Sequence, residues 1–296
     1  MNIMSFIYYP ILAYLSLIIL APIISVYQES KIWLHPAVPT LSPIGMFKVY
    51  IFNVVWMSGG LIGTILLLPK YLLNGLGSSV ERDMAFVERI IGFVVVSSFV
   101  GPVKIVGREK LLPETSPCVF IANHASQIDL GLVYFLFRRF KWIAKKSVLY
   151  LPGVGTLMLM GGHVLIDRFK GRKPSSRKMY QTAAQSLKDG VPIFIFPQGT
   201  RRMAERLPFK DGAFNIAIAG EVPLIPISIN IPPSAWNDLY PLSLLWKKKD
   251  PVILTVHDPV HVTKDSDKAE LKEKTFDIIH AILPLRENEN GKEKLT

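Results

Sequence analysis

Ile121-Ala-Asn-His-Ala-Ser-Gln-Ile-Asp129 opens as an apolar strand, passes through a polar turn and enters a helix. A buried strand that ends on polar side chains just before a helix is the local unit of an α/β domain built on a largely parallel sheet. The same alternation continues on both sides, from about residue 100 to 262. Strands are expected at Val103–Val106, Cys118–Ala122, Lys141–Ala144, His163–Ile166, Pro192–Phe196, Leu224–Ile229 and Val252–Val256. Helices are expected at Gln127–Phe137, Ser175–Lys188, Ala213–Ala219 and Asp267–Ala281, with a further amphipathic helix running to about Val100.

Upstream the composition changes. The mean hydropathy of +0.32 is high for a soluble globule of 296 residues, and the excess is concentrated at the start of the chain. Ile3 to Tyr27 carries no charged side chain, and Val49 to Pro69 is a second such run between Lys48 and Lys70. About 20 helical residues cross a bilayer core, so each run is long enough. The proline-containing link between them suits a helical hairpin, with Pro22, Asn53 and Ser58-Gly59-Gly60 as interruptions that allow a pair dipping into one leaflet. The first run lacks the basic start and small-residue cleavage site of a secretory signal. The expected organisation is a membrane hairpin and connector over 1–76, an α/β domain over 77–285 and a charged, disordered tail over 286–296.

The net charge of +11 suits an anionic partner, and with membrane segments in the same chain that partner is the lipid surface rather than nucleic acid. Aromatic-interleaved basic helices are missing from the charged stretches. Cys118, the one cysteine, excludes an intramolecular disulfide framework and reads as a small core residue. His257, His261 and His280 lack an acidic or cysteine cluster at metal spacing, so no metal is expected.

His124 and Asp129 are the candidate chemical pair. On one helix, five residues would turn their side chains about 140° apart, so the histidine must lie in the turn ahead of it. Ser126 is the expected N-cap, with Asp129 in the first turn. A carboxylate on one ring nitrogen fixes the tautomer and leaves the other free to take a proton. From spacing alone the plainer reading, a capped helix with a packed histidine, stays open.

Two further strand ends change the balance. Phe194-Ile-Phe-Pro-Gln-Gly-Thr-Arg-Arg202 ends in Gly199 and Thr200, whose backbone amides can face an anion, and Arg201, whose fork matches a phosphate. Gly161-Gly-His-Val-Leu-Ile-Asp-Arg168 ends in Asp167-Arg168, and Lys145-Lys146 follows another strand. Ligands in open α/β sheets sit at the carboxyl ends of strands, where all these groups would gather.

These segments resemble the ordered blocks of the glycerolipid acyltransferases typified by 1-acylglycerol-3-phosphate acyltransferase. Asn123-His-x4-Asp129, Gly162-His-Val-Leu-Ile-Asp-Arg168, Phe196-Pro-Gln-Gly-Thr-Arg201 and Val222-Pro-Leu-Ile-Pro226 come in family order across roughly residues 100 to 230. The resemblance implies His124 as general base toward the acceptor hydroxyl, Asp129 as its orienter, and Arg201 with Lys145 and Arg168 on the acceptor phosphate. Gln198, Gly199 and Thr200 would complete the substrate-binding turn, and Val222–Pro226 would act as an acyl wall or scaffold.

It further implies an acyl thioester on coenzyme A or acyl carrier protein as co-substrate, lysophosphatidic acid as acceptor, no cofactor, and a catalytic domain on the cytosolic face of the bacterial inner membrane or endoplasmic reticulum. Two departures stand out: Gln198 replaces a usual glutamate, and His163 sits where an apolar residue is common. Other readings are transfer to a different glycerol-phosphate or lysophospholipid acceptor, a lipid hydrolase using Ser126, or a silent anionic-lipid binder.

Overall fold

The computed structural model describes residues 3–34, 38–75, 77–166, 176–203, 205–238 and 250–284. The chain begins with helices α1 (Ile3–Ile32), α2 (Pro43–Asn74) and α3 (Ser78–Phe99), followed by strand β1 (Val103–Val106) and strand β2 (Val119–Ala122). Then come α4 (Ile128–Leu132), β3 (Lys141–Lys145), α5 (Val154–Met160), β4 (Val164–Ile166), α6 (Ser176–Lys188) and β5 (Ile193–Ile195). The remaining elements are α7 (Gly212–Gly220), β6 (Leu224–Asn230), β7 (Val252–Val256) and α8 (Lys268–Ala281).

The described strands form one sheet in the order β1-β7-β6-β2-β5-β3-β4. β6, β2, β5, β3 and β4 run parallel, and β7 pairs antiparallel with β6 while running parallel to β1. This is the mostly parallel α/β sheet expected from the apolar runs. β2 is buried along its whole length, as a strand covered on both faces must be. Its Phe120 and Ala122 join the core under α2, α3 and α4, whereas Val119 and Ile121 join the core under α6, α7 and α8. Cys118, at the start of this strand, is buried, and burial pushes its thiol up to about 12.

α1 and α2 are long and apolar enough to cross a membrane. Leu12, Leu15, Ile19, Leu20, Ile23 and Ile24 of α1 and Ile62, Ile65, Leu66 and Leu72 of α2 are exposed, a larger apolar surface than a water-facing helix pair presents. Neither helix breaks where the sequence suggested. α1 runs through Pro22 and α2 runs through the Ser58–Gly60 trio and Pro69. The glycines serve close packing: a Cβ on Gly60 would lie 2.8 Å from the Gly153 carbonyl carbon, and one on Gly153 (φ +69°) would lie 2.1 Å from Met57 O. The connector expected at the end of the 1–76 unit shrinks accordingly, because α2 continues to Asn74 and Gly75 at φ +67° ends it. The expected 286–296 tail lies outside the described residues, as do Asp167 and Arg168.

The buried thiol yields a direct expectation. Cys118 in the folded chain reacts with iodoacetamide at pH 8 at least ~100-fold more slowly than after denaturation, because both access and thiolate fraction are suppressed. Alkylation at equal rates, followed by mass spectrometry, would contradict its place in the core.

Candidate active site

The site is built where β2 and β5 end side by side. Asn123, the first residue past β2, is buried and uses both ends of its amide. Its Nδ2 donates to Ile229 O at 2.9 Å and its Oδ1 accepts from Ile229 N at 2.8 Å. An amide is a side chain that can donate and accept at once, so it extends the β2–β6 pairing and fixes where the turn begins.

His124 follows, with a side chain 15% exposed, and its Nδ1 lies 2.8 Å from Asp129 Oδ2. The same carboxylate oxygen accepts from Ala125 N at 2.6 Å and Ser126 N at 3.1 Å. Asp129 is fully buried, so these donors stand in for water and hold the carboxylate still. With Nδ1–H directed at Asp129, Nε2 carries the free lone pair. The imidazole also stacks on Phe196, centroids 4.0 Å apart and planes within 8°. The ring is therefore held on an edge and on a face.

The turn after β5 closes on this histidine. Gln198 is buried and its Oε1 accepts from His124 N at 3.0 Å, while Arg202 N donates to His124 O at 2.8 Å. The Gln198 amide, expected beside the substrate, is thus turned inward as a support, a task that needs only an acceptor oxygen. Gly199 sits at φ +72° and gives its N–H to Phe196 O at 3.0 Å, so that amide is spent inside the turn rather than offered to an anion. Thr200 and Arg201 line a cavity of about 450 Å³ together with Arg202, Met203 and Glu205 and with Gln28, Lys31, Ile32 and Leu34 from the end of α1 and just beyond. Lys145 is exposed at the carboxyl end of β3, on the same sheet edge. Arg168 falls outside the described residues.

The helix cap differs from expectation. α4 starts at Ile128 with Gln127 as its cap residue, and Asp129 turns back to the histidine. Ser126 is fully buried and its hydroxyl donates to Glu29 of α1. A hydrolase nucleophile would have to give that proton to His124, so the serine is in the wrong bond for the task. Beyond Leu132 the expected helix continues as a 3₁₀ turn, Val133–Leu136, ended by Phe137 at φ +53°. His163 is buried with both nitrogens engaged: Nδ1 accepts from Trp142 N at 2.9 Å and Nε2 donates to Glu88 at 2.8 Å. Val222–Pro226 leads into and begins β6: Leu224 and Ile225 are fully buried, and Pro226, which pairs with Ile121 of β2, accepts from His257 N at 3.0 Å through its carbonyl.

Glu29 is the residue that sequence reading missed. It is a lone acidic group at the end of an apolar helix, a signal that marks a polar partner in the folded chain. Among the described residues it is the carboxylate that pairs with Arg201, at 3.1 Å.

Residues 102–230 match the family model described as Acyltransferase. Over those residues the chain is similar to the acyltransferase family. Over 128 residues it is 39% identical to a 1-acyl-sn-glycerol-3-phosphate acyltransferase of Chlamydomonas reinhardtii, covering 43% of this chain and 38% of that protein. Over 158 residues it is 32% identical to the 1-acyl-sn-glycerol-3-phosphate acyltransferase of Haemophilus influenzae, covering 52% and 63%. The chain thus spans under two-fifths of the algal relative and under two-thirds of the bacterial one. The fold is shared with the 1-acyl-sn-glycerophosphate acyltransferase PlsC of Thermotoga maritima, with TM-score 0.58 at 21% identity, over 80% of this chain and 92% of that one.

Asn123→Ala strands the Ile229 N–H and carbonyl in the core of the α/β domain. Each buried unpaired group costs about 1–3 kcal/mol, so chemical denaturation should show a loss of at least ~2 kcal/mol. A loss below ~0.5 kcal/mol would mean that the amide does not anchor the turn.

Proposed function

We propose that this protein transfers an acyl group from an acyl thioester, on coenzyme A or acyl carrier protein, to the sn-2 hydroxyl of 1-acyl-glycerol-3-phosphate, giving phosphatidic acid. The observation that carries the reading is the oriented His124–Asp129 pair, whose histidine is bonded through its backbone to Arg202, next to Arg201 and its cavity. The acyltransferase relatives support the acceptor.

In this reading His124 Nε2 takes the proton of the acceptor hydroxyl while Nδ1–H stays on Asp129. The alkoxide oxygen attacks the thioester carbonyl, the C–S bond breaks, and the imidazolium returns its proton to the departing thiolate. A thiolate leaves easily, so the hydroxyl is the partner that needs activation, and base catalysis of this kind supplies about 10²–10⁴-fold. Arg201, with Lys145 and Arg168, holds the phosphomonoester. Thr200 forms the wall, and Gln198 and Gly199 keep the turn in shape. The hairpin keeps the site at the bilayer surface, on the cytosolic face, where lysolipid enters and two-chain product leaves.

Purified protein in lipid vesicles, given labelled acyl-coenzyme A and a panel of acceptors, tests this. Lysophosphatidate should be preferred to neutral monoacylglycerol. His124→Ala should lower kcat by ~10²–10⁴-fold and Asp129→Asn by at least ~10²-fold. Preference for an acceptor without the phosphomonoester would overturn the acceptor assignment. Fatty-acid release without any acceptor, lost in Ser126→Ala, would overturn the transferase reading.

A further inference from the structure

α1 is 30 residues long, about 45 Å at 1.5 Å per residue, which exceeds a hydrocarbon core of about 30 Å. Its last turns leave the apolar stripe and enter the catalytic domain. Glu29 is fully buried there, and every group around its carboxylate is a donor. Ser126 Oγ donates to Oε1, as do Trp33 Nε1 at 3.2 Å and Trp236 Nε1 at 3.1 Å. Oε2 faces Arg201 Nη1 at 3.1 Å and Gln127 N at 3.4 Å. The neighbouring Gln28 accepts from Arg201 Nη2 at 3.1 Å. One helix of the hairpin therefore holds two nitrogens of the arginine fork, and the same helix forms a wall of the cavity into which Arg201 faces.

We propose that Glu29, reaching in from the membrane hairpin, is the positioning residue that sets Arg201 to receive the acceptor phosphate. The proposal rests on the acyl-transfer reading above. Side chains of arginine have several rotatable bonds and lose entropy on binding a phosphate; a buried carboxylate on one nitrogen fixes that geometry in advance. The remaining guanidinium donors stay available toward the cavity. Because the bond runs from helix to domain, a hairpin shifted from its seat would also release the arginine.

Glu29→Gln tests this. Its amide keeps one oxygen for Ser126 and the tryptophans but places N–H groups against Arg201 and Gln127, so Arg201 loses its guide while volume is conserved. Steady-state kinetics of the full chain in vesicles, with 1-oleoyl-glycerol-3-phosphate varied at saturating acyl-coenzyme A, should show acceptor KM raised ~10-fold or more, with kcat within ~3-fold and donor KM unchanged. Arg201→Ala should raise acceptor KM at least as much, and adding Glu29→Gln to it should cost nothing further, because the carboxylate acts through the arginine. A folded Glu29→Gln protein with unchanged acceptor KM, or full additivity with Arg201→Ala, would overturn the proposal.

If Glu29→Gln does not fold, Gln28→Ala decides, since this contact is exposed. It should raise acceptor KM by ~3-fold, again without effect in the Arg201→Ala background, and an unchanged KM would overturn the proposal. A wild type that turns over neutral monoacylglycerol as well as the phosphate acceptor overturns the acyl-transfer reading and the proposal together. A wild type that requires the phosphate but is indifferent to Glu29 and Gln28 overturns the proposal alone.

Discussion

A buried carboxylate in the first turn of α4, turned back on the loop that follows a buried strand, is the constraint on which the site depends. Asp129 has lost its water, and three donors from the turn between β2 and α4 replace it at Oδ2, while Oδ1 is buried without a partner. Charge-assisted bonds of this kind contribute about 1.5–3 kcal/mol each, so the turn and the carboxylate hold one another. His124 has little freedom left, because its ring is bonded at Nδ1 and stacked on Phe196, and its backbone is bonded at N and O to the turn after β5. The placing of the His124 ring thus follows from buried polar groups finding partners.

A second buried carboxylate, Glu29, extends the same logic to the hairpin. Its donors come from Trp33 just past α1, from the segment around the α4 cap, from Trp236 and from the arginine loop. Lys48 of α2, itself buried, donates to the carbonyls of Ala235 and Asp238. Further along, Gly60 lies on Gly153, and Tyr14 Oη accepts from Gly153 N at 2.7 Å. The two apolar helices are thus bonded to the domain at several points, while their outer faces remain apolar and exposed. Under the proposed function, such a hairpin would fix how the cavity stands relative to the bilayer that holds the acceptor.

The sheet was legible in the sequence because each strand is a short apolar run bounded by turn residues, and a strand buried on both faces needs no alternation to be seen. The His124 turn was legible for a geometric reason: five residues do not return to the same helix face. Other features depended on partners far away in the chain. Ser126 gives its hydroxyl proton to Glu29, 97 residues earlier, while its oxygen accepts from Ile128 N at 3.3 Å. Gly59 and Gly60 read as helix breaks but are contact points, and Gly199 read as an anion cradle but spends its N–H within its own turn. Gln198 illustrates the remaining limit: its identity was visible, whereas its direction, inward to His124 N, was set by packing around the loop.

The account stands or falls on how an acceptor sits. A crystal structure of the protein with an ether-linked lysophosphatidate, which cannot move its acyl chain, measures this directly. The account predicts the phosphate on the Arg201 guanidinium in the cavity beside α1 and the free hydroxyl about 3 Å from His124 Nε2. A phosphate bound away from Arg201, or a hydroxyl that no rotation brings within reach of His124, would contradict it.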